Sequence, residues 1–96
     1  MIRQSIVDSL RQLATSLEPQ ISGTEWHLFG SVDRDQPDAS DIDLMILCNN
    51  DDQADTLRRV IDPDAFLLPI HLALMTFDEA IEVDAISMQH SRVIFP

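Results

Sequence analysis

The chain has 96 residues, which is too few for two hydrophobic cores, so we expect a single domain over residues 1–96. Hydrophobic residues make up 45% of the chain, which disfavours a disordered or coiled-coil protein. Seventeen acidic residues outweigh six arginines and give a net charge of −11. That charge disfavours nucleic acid as a direct partner and favours cations or a basic protein, although it also fits a merely solubilising surface.

The cysteine content and the length of the apolar runs bear on the cellular compartment of the protein. Cys48 is the only cysteine, which excludes a disulfide within the chain and fits a reducing compartment. The longest unbroken apolar run, residues 65–70, is far shorter than the about 20 residues of a membrane helix. The first residues lack the apolar stretch of a signal peptide. We therefore expect a cytoplasmic protein without a membrane partner.

The predicted elements begin with a helix over residues 3–17, where apolar side chains recur every three or four positions. Pro19 and Gly23 follow it and prevent its continuation. Residues 26–29 form a short apolar run, and Gly30 stops it, which predicts a strand entering a tight turn.

The rest of the chain alternates between strands and helices. The predicted elements are a loop at 33–40, a strand at 41–48, a turn at 49–52, a helix at 53–61, a strand at 66–75, a helix opened by a capping box at 76–79 and a strand at 92–95. The apolar side of the last helix is expected to include Ala80, Ile81, Val83, Ala85, Ile86 and Met88.

This element order predicts an α/β or α+β fold, with a mixed sheet of about four strands and helices packed mainly on one face. The strands at 41–48 and 66–75 are apolar on both faces. If the helices cover one face, the other retains apolar surface, which is typical of a site for a protein partner or a second copy of the chain.

Two short motifs carry chemistry. Asp41 and Asp43 lie two positions apart in a predicted strand, so both carboxylates point to one face and repel each other unless a cation lies between them. Mg²⁺ and Mn²⁺ prefer such oxygen ligands. Gly30 and Ser31 end the preceding strand in a turn that can present backbone N–H groups and a hydroxyl to a phosphate. Each motif is weak by itself; together they are typical of metal-assisted phosphoryl or nucleotidyl transfer.

The two segments, Leu28-Phe29-Gly30-Ser31 and Ser40-Asp41-Ile42-Asp43-Leu44, are separated by a loop and resemble the signature of minimal nucleotidyltransferases in the DNA polymerase β-like superfamily. The similarity extends over most of the chain. The resemblance implies that the nucleotide, expected to be ATP, is bound by Gly30, Ser31, Arg34 and Ser40, and that Asp41 and Asp43 bind the metal ion. From the residues alone, Arg34 is equally well explained as a surface residue paired with Asp33 or Asp35.

His71 departs from that pattern, because the resemblance places a third carboxylate at its position. Histidine acts as a general base near neutral pH and binds metals, but Mg²⁺ prefers oxygen ligands. We therefore consider His71 as a catalytic residue, with a hydrogen-bonded core histidine as the alternative.

Two functions remain open. The first is transfer of a nucleoside monophosphate, AMP from ATP, to an acceptor such as a protein side chain. The resemblance implies a helical HEPN-domain toxin as that partner, with this chain as its antitoxin. The second is a catalytically degenerate domain that neutralises a basic partner by contact alone. The resemblance also implies that larger relatives carry a helical second domain, so we expect another molecule to supply the acceptor surface.

Overall fold

The computed structural model describes residues 2–66, 68–84 and 91–96. Its elements are α1 (Ile2–Ser16), β1 (Glu25–Phe29), α2 (Gly30–Asp33), β2 (Ile42–Cys48), α3 (Asp51–Val60), β3 (Ile70–Thr76), α4 (Phe77–Glu82) and β4 (Arg92–Phe95). The predicted mixed α+β fold is confirmed. In the described part of the chain, no helix is both long enough and apolar enough to cross a bilayer.

The four strands form one sheet in the order β3-β2-β1-β4. Strand β1 pairs antiparallel with both β2 and β4. Strands β2 and β3 are parallel, and α3 is the crossover helix between them. Parallel neighbours require such a crossover, so the β2–α3–β3 unit places a helix against the sheet. It also brings the first residues of β2 and β3 side by side at one end of the sheet.

The main core lies on the face of the sheet that α1 and α3 cover. Alternate residues of β2 point into it, because successive strand side chains point to opposite faces. Trp26 is fully buried there and packs edge-on against Phe95, with ring centroids 6.0 Å apart. The buried members from the central strands and the two helices are Ile6, Val7, Leu10, Ala14, Trp26, Leu28, Ile42, Leu44, Ile46, Cys48, Ala54 and Leu57.

A smaller cluster occupies the opposite face, where Met45 and Leu47 of β2 pack against Ala80 of α4. Helix α4 therefore covers part of the face that the sequence predicted to stay open. Its first turn has the predicted capping box: the Glu79 N–H donates to the Thr76 hydroxyl, and the Thr76 N–H donates to the Glu79 carboxylate.

Several predicted boundaries differ from the structure. The strand expected at 66–75 begins at Ile70, consistent with the inability of Pro69 to donate a hydrogen bond to a sheet. The helix expected at 53–61 begins at Asp51, because the Asn50 side chain accepts a hydrogen bond from the Gln53 N–H at 2.8 Å and caps it there.

The expected apolar side of the last helix is partly wrong. Ile81 is 78% exposed and Val83 is also exposed, because α4 ends at Glu82 and presents only Ala80 to the sheet as a buried residue. The other expected members, Ala85, Ile86 and Met88, lie outside the described residues, as does Leu67 of the predicted third strand.

Candidate functional site

The two aspartates lie at the start of β2, on the face opposite the main core. Ile42, between them in sequence, is fully buried in that core, so the two-residue period of a strand turns Asp41 and Asp43 the other way. Their side chains are 30% and 23% exposed. The predicted placement of both carboxylates on one face is confirmed.

His71 joins the aspartates through the parallel pairing of β2 with β3, in which Asp43 is the register partner of His71. One ring nitrogen, Nε2, lies 3.6 Å from Asp41 Oδ2, and the other, Nδ1, lies 3.5 Å from Asp43 Oδ1. One potential ligand atom from each of the three residues lies within 4.8 Å of the others. The His71 side chain is 66% exposed, so it is not the core histidine considered as the alternative.

Gly30 brings the main chain against this cluster. It pairs with no strand residue itself, but it follows Phe29, whose register partner is Asp43. Gly30 has φ of +76°, and a Cβ there would lie 3.0 Å from Asp43 Cγ and closer still to the Asp43 carboxylate oxygen. Only glycine allows both this left-handed conformation and this approach. The Gly30–Ser31 segment is therefore adjacent to Asp43.

The segment after β1 is a single helical turn, α2, rather than the simple tight turn expected from the sequence. Buried Val32 holds the turn against the main core. Arg34 closes the turn by donating its N–H to the Gly30 carbonyl at 3.2 Å. Residues 30 and 34 are one helical turn apart, so they lie on the same side of it.

The remaining predicted nucleotide-binding residues lie in or after α2 and immediately before Asp41. Ser31 is half-buried in α2, and Ser40 is exposed immediately before Asp41. Arg34 is exposed, and within the described residues it forms no ion pair with Asp33 or Asp35, the alternative that the sequence left open.

The electrostatics of the cluster favour a bound cation. Burial raises the pKa of Asp43 above its ordinary value of 3.8, and the neighbouring Asp41 carboxylate raises it further. His71 and Arg34 act in the opposite direction but do not cancel the increase. A partly desolvated carboxylate beside a second carboxylate is stabilised by a positive ion between them. The donor set of two carboxylates and an imidazole is one that divalent metal ions bind.

Sequence reasoning missed Asp33, which it placed in a polar loop. This residue is 4% exposed and accepts hydrogen bonds from two arginines. Arg3 of α1 donates from Nε at 3.3 Å and Nη2 at 3.2 Å, and Arg92 of β4 donates from Nε to both carboxylate oxygens at 3.0 Å. The partners are 30 and 59 positions away in sequence, so no local pattern indicates this contact.

Two other side chains of the types that bind metals, His27 and Cys48, are buried away from the cluster. His27 is buried, and its ring nitrogens lie 3.0 Å from Glu25 Oε1 and 3.2 Å from Ser91 Oγ. Cys48 is fully buried, and burial raises its pKa to about 11, so it is an unreactive core thiol.

The model of the nucleotidyltransferase domain family matches residues 7–95, a range that contains every residue of the cluster and of α2. The chain belongs to the nucleotidyltransferase domain family. No match is found among curated proteins or among solved structures. Membership of this family supports nucleotidyl transfer as the general chemistry and a nucleotide as substrate. In this nucleotidyltransferase domain, the Asp41–Asp43–His71 cluster is a possible metal site.

Proposed function

We propose that this nucleotidyltransferase domain transfers AMP from ATP to a hydroxyl group on a partner protein. The observation that carries the proposal is the position of Asp41, Asp43 and His71 within 4.8 Å of one another, directly beside the Gly30 turn. A metal-binding carboxylate pair and a phosphate-binding turn have to be adjacent for nucleotidyl transfer, because the metal ion and the turn act on the same triphosphate.

Each residue has a proposed role that its location supports. Asp41 and Asp43 bind Mg²⁺ or Mn²⁺, which when bound neutralises triphosphate charge and orients the α-phosphate. The Gly30 and Ser31 main chain and the two hydroxyls of Ser31 and Ser40 bind phosphate oxygens. The Arg34 guanidinium is exposed and near Asp43, whose pKa it lowers, and we assign it to the departing pyrophosphate.

The chemical step is a substitution at the α-phosphorus. The acceptor oxygen forms a bond to phosphorus, the bond from phosphorus to the pyrophosphate oxygen breaks, and the electron pair leaves with pyrophosphate. The acceptor hydroxyl loses its proton to His71, which stands where the family pattern has a carboxylate. The exposure of this ring, at 66%, makes it accessible to an acceptor on another molecule.

The second candidate is a degenerate domain that acts by contact alone. The orientation of the His71 ring favours this function. One ring nitrogen faces each aspartate, so the ring lies where a cation would otherwise bridge the two carboxylates. In this function, the acidic surface of the chain neutralises a basic partner, and neither metal nor nucleotide is required.

We further infer that the partner is a helical HEPN-type toxin in the cytoplasm, with this chain as its antitoxin, or a second copy of the chain bound through the sheet face. The net charge of −11 supports a basic protein and disfavours direct nucleic-acid binding. Exposed Ile81, at the rim of a cavity of about 310 Å³ between α4 and the sheet, supports an apolar contribution to that interface.

The deciding experiment incubates the chain and the HEPN-type partner with ATP labelled at the α-phosphate, with and without Mn²⁺. Metal-dependent label on the partner, lost in Asp41→Asn and Asp43→Asn, supports the enzyme. A stable complex that forms without label, and equally well in both variants, contradicts transfer and supports the contact-only function. Asp55→Asn serves as the matched control, because it removes the same charge from an exposed site on α3.

A further inference from the structure

Helix α2 is too short to be stable by itself. It comprises four residues, and a single helical turn fixes several backbone angles for very few hydrogen bonds. Yet this turn carries Gly30, which touches Asp43, and it ends at Arg34, whose charge lowers the pKa of Asp43. Contacts outside α2 must therefore hold it in place.

Asp33 supplies the polar part of those contacts. Its carboxylate bonds Arg3 and Arg92, and Arg92 also donates to the Asp33 backbone carbonyl. Close by, the Arg3 N–H donates to the Asp35 carboxylate at 3.2 Å. Helix α1 and strand β4 thus fasten the end of α2, the turn whose first residue, Gly30, lies against Asp43.

The use of arginine in this chain makes the arrangement unusual. The chain has only six arginines against seventeen acidic residues, yet two of the six arginines bind one buried carboxylate. Removing a carboxylate from water is costly unless charge-assisted hydrogen bonds compensate, and here four such bonds do so. Because Arg3 and Arg92 form ion pairs with Asp33, the exposed Arg34 is the arginine of this region whose guanidinium can bind a phosphate.

We propose that Asp33 is a positioning residue, which through Arg3 and Arg92 holds the Gly30–Arg34 turn in the geometry that receives the nucleotide triphosphate. The proposal rests on the proposed function, since it assigns the turn to phosphate binding. Without the ion pairs, the turn is expected to shift relative to β2, while Asp41 and Asp43 keep their places because β2 lies at the centre of the sheet.

Asp33→Asn tests the proposal, with Asp55→Asn as control. The control removes the same charge from an exposed pair, in which Asp55 Oδ1 lies 2.8 Å from Arg58. Titration calorimetry measures Mn²⁺ without nucleotide, then ATP in saturating Mn²⁺, well below the melting temperature of each variant. We expect ATP affinity to fall about tenfold or more in Asp33→Asn, since the loss of one hydrogen bond to a charged phosphate has an effect of that size. Mn²⁺ affinity should stay within about twofold, and Asp55→Asn should match the wild type in both.

The outcomes separate this proposal from the function on which it rests. A wild-type chain that binds Mn²⁺ but no ATP contradicts the proposed function. A wild-type chain that binds ATP no better than Asp33→Asn, whatever the difference in melting temperature, overturns the positioning role and leaves only a structural one. If Asp33→Asn does not fold, Arg92→Gln replaces it, because Arg92 is 57% exposed and leaves the Arg3 pair intact. The same fall in ATP affinity is expected for this variant, and its absence again overturns the proposal.

Discussion

Replacement of Gly30 by alanine tests the link between the turn and the metal cluster. The added Cβ would lie 3.0 Å from Asp43 Cγ, closer than unbonded carbons approach, and nearer still to the carboxylate oxygen. Asp43 has a short side chain on a central strand, so the carboxylate relieves the clash only by rotating away from Gly30. That rotation changes its position relative to Asp41 and His71.

Gly30→Ala is expected to lower both the stability of the chain and its affinity for Mn²⁺. An alanine at φ of +76° costs about 1–2 kcal/mol, and the smaller freedom of the unfolded chain returns roughly 0.4–1 kcal/mol. The net loss of about 1 kcal/mol corresponds to a fall in melting temperature of about 4–8 °C for a domain of this size. Displacement of one carboxylate ligand is expected to lower Mn²⁺ affinity by about tenfold to hundredfold, as disturbance of metal-site residues commonly does.

Gly23→Ala is the matched control. Gly23 also has positive φ, at +82°, but its Cβ would meet the end of the exposed Asn49 side chain, which can move away at the cost of the exposed hydrogen bond that its amide donates to the Ser22 carbonyl at 2.9 Å. Both variants should lose similar stability in chemical denaturation, and only Gly30→Ala should lose Mn²⁺ binding in titration calorimetry. Equal Mn²⁺ affinity in Gly30→Ala and wild type would refute the reasoning, as would an equal loss in Gly23→Ala.

Three further outcomes are expected. Asp43→Asn should make the metal-free chain more stable at neutral pH, because burial and Asp41 raise the pKa of Asp43 in the folded chain. The difference in unfolding free energy between the variant and the wild type should grow as pH rises through that raised pKa and disappear below pH 3.8, which denaturant titrations at several pH values measure. With His71 as the base, His71→Asp should change the pH profile of AMP transfer with little gain and His71→Ala should abolish transfer, whereas in the contact-only function His71→Asp restores the family pattern and should raise Mg²⁺ affinity and create transfer. Unchanged transfer in His71→Ala would remove any catalytic role for this residue. Thr76→Ala deletes the capping hydroxyl of α4 and should cost about 1 kcal/mol in denaturation, whereas Thr15→Ala, near the end of α1, should cost less.

The order of the elements and the chemistry of the site were predictable because both depend on short-range patterns. The alternation around Ile42 turned both aspartates to one face, and a glycine ending an apolar run marked a positive-φ turn next to them. The position of His71 beside Asp43 followed only from the resemblance to a known family, since a parallel register between two strands is not written in either strand. The Thr76 capping box, in contrast, is a local four-residue pattern, and the structure confirms it.

The sequence by itself thus determined the strands, the turn and the carboxylate pair, each of which depends on residues within a few positions of one another. Only the tertiary structure decided that α4 covers part of the second sheet face and that Asp33 is buried between Arg3 and Arg92. Those features depend on contacts between segments up to 59 positions apart. A polar stretch such as residues 33–40 has no local signal for which of its carboxylates meets a distant arginine, because burial is a property of the assembled sheet and helices.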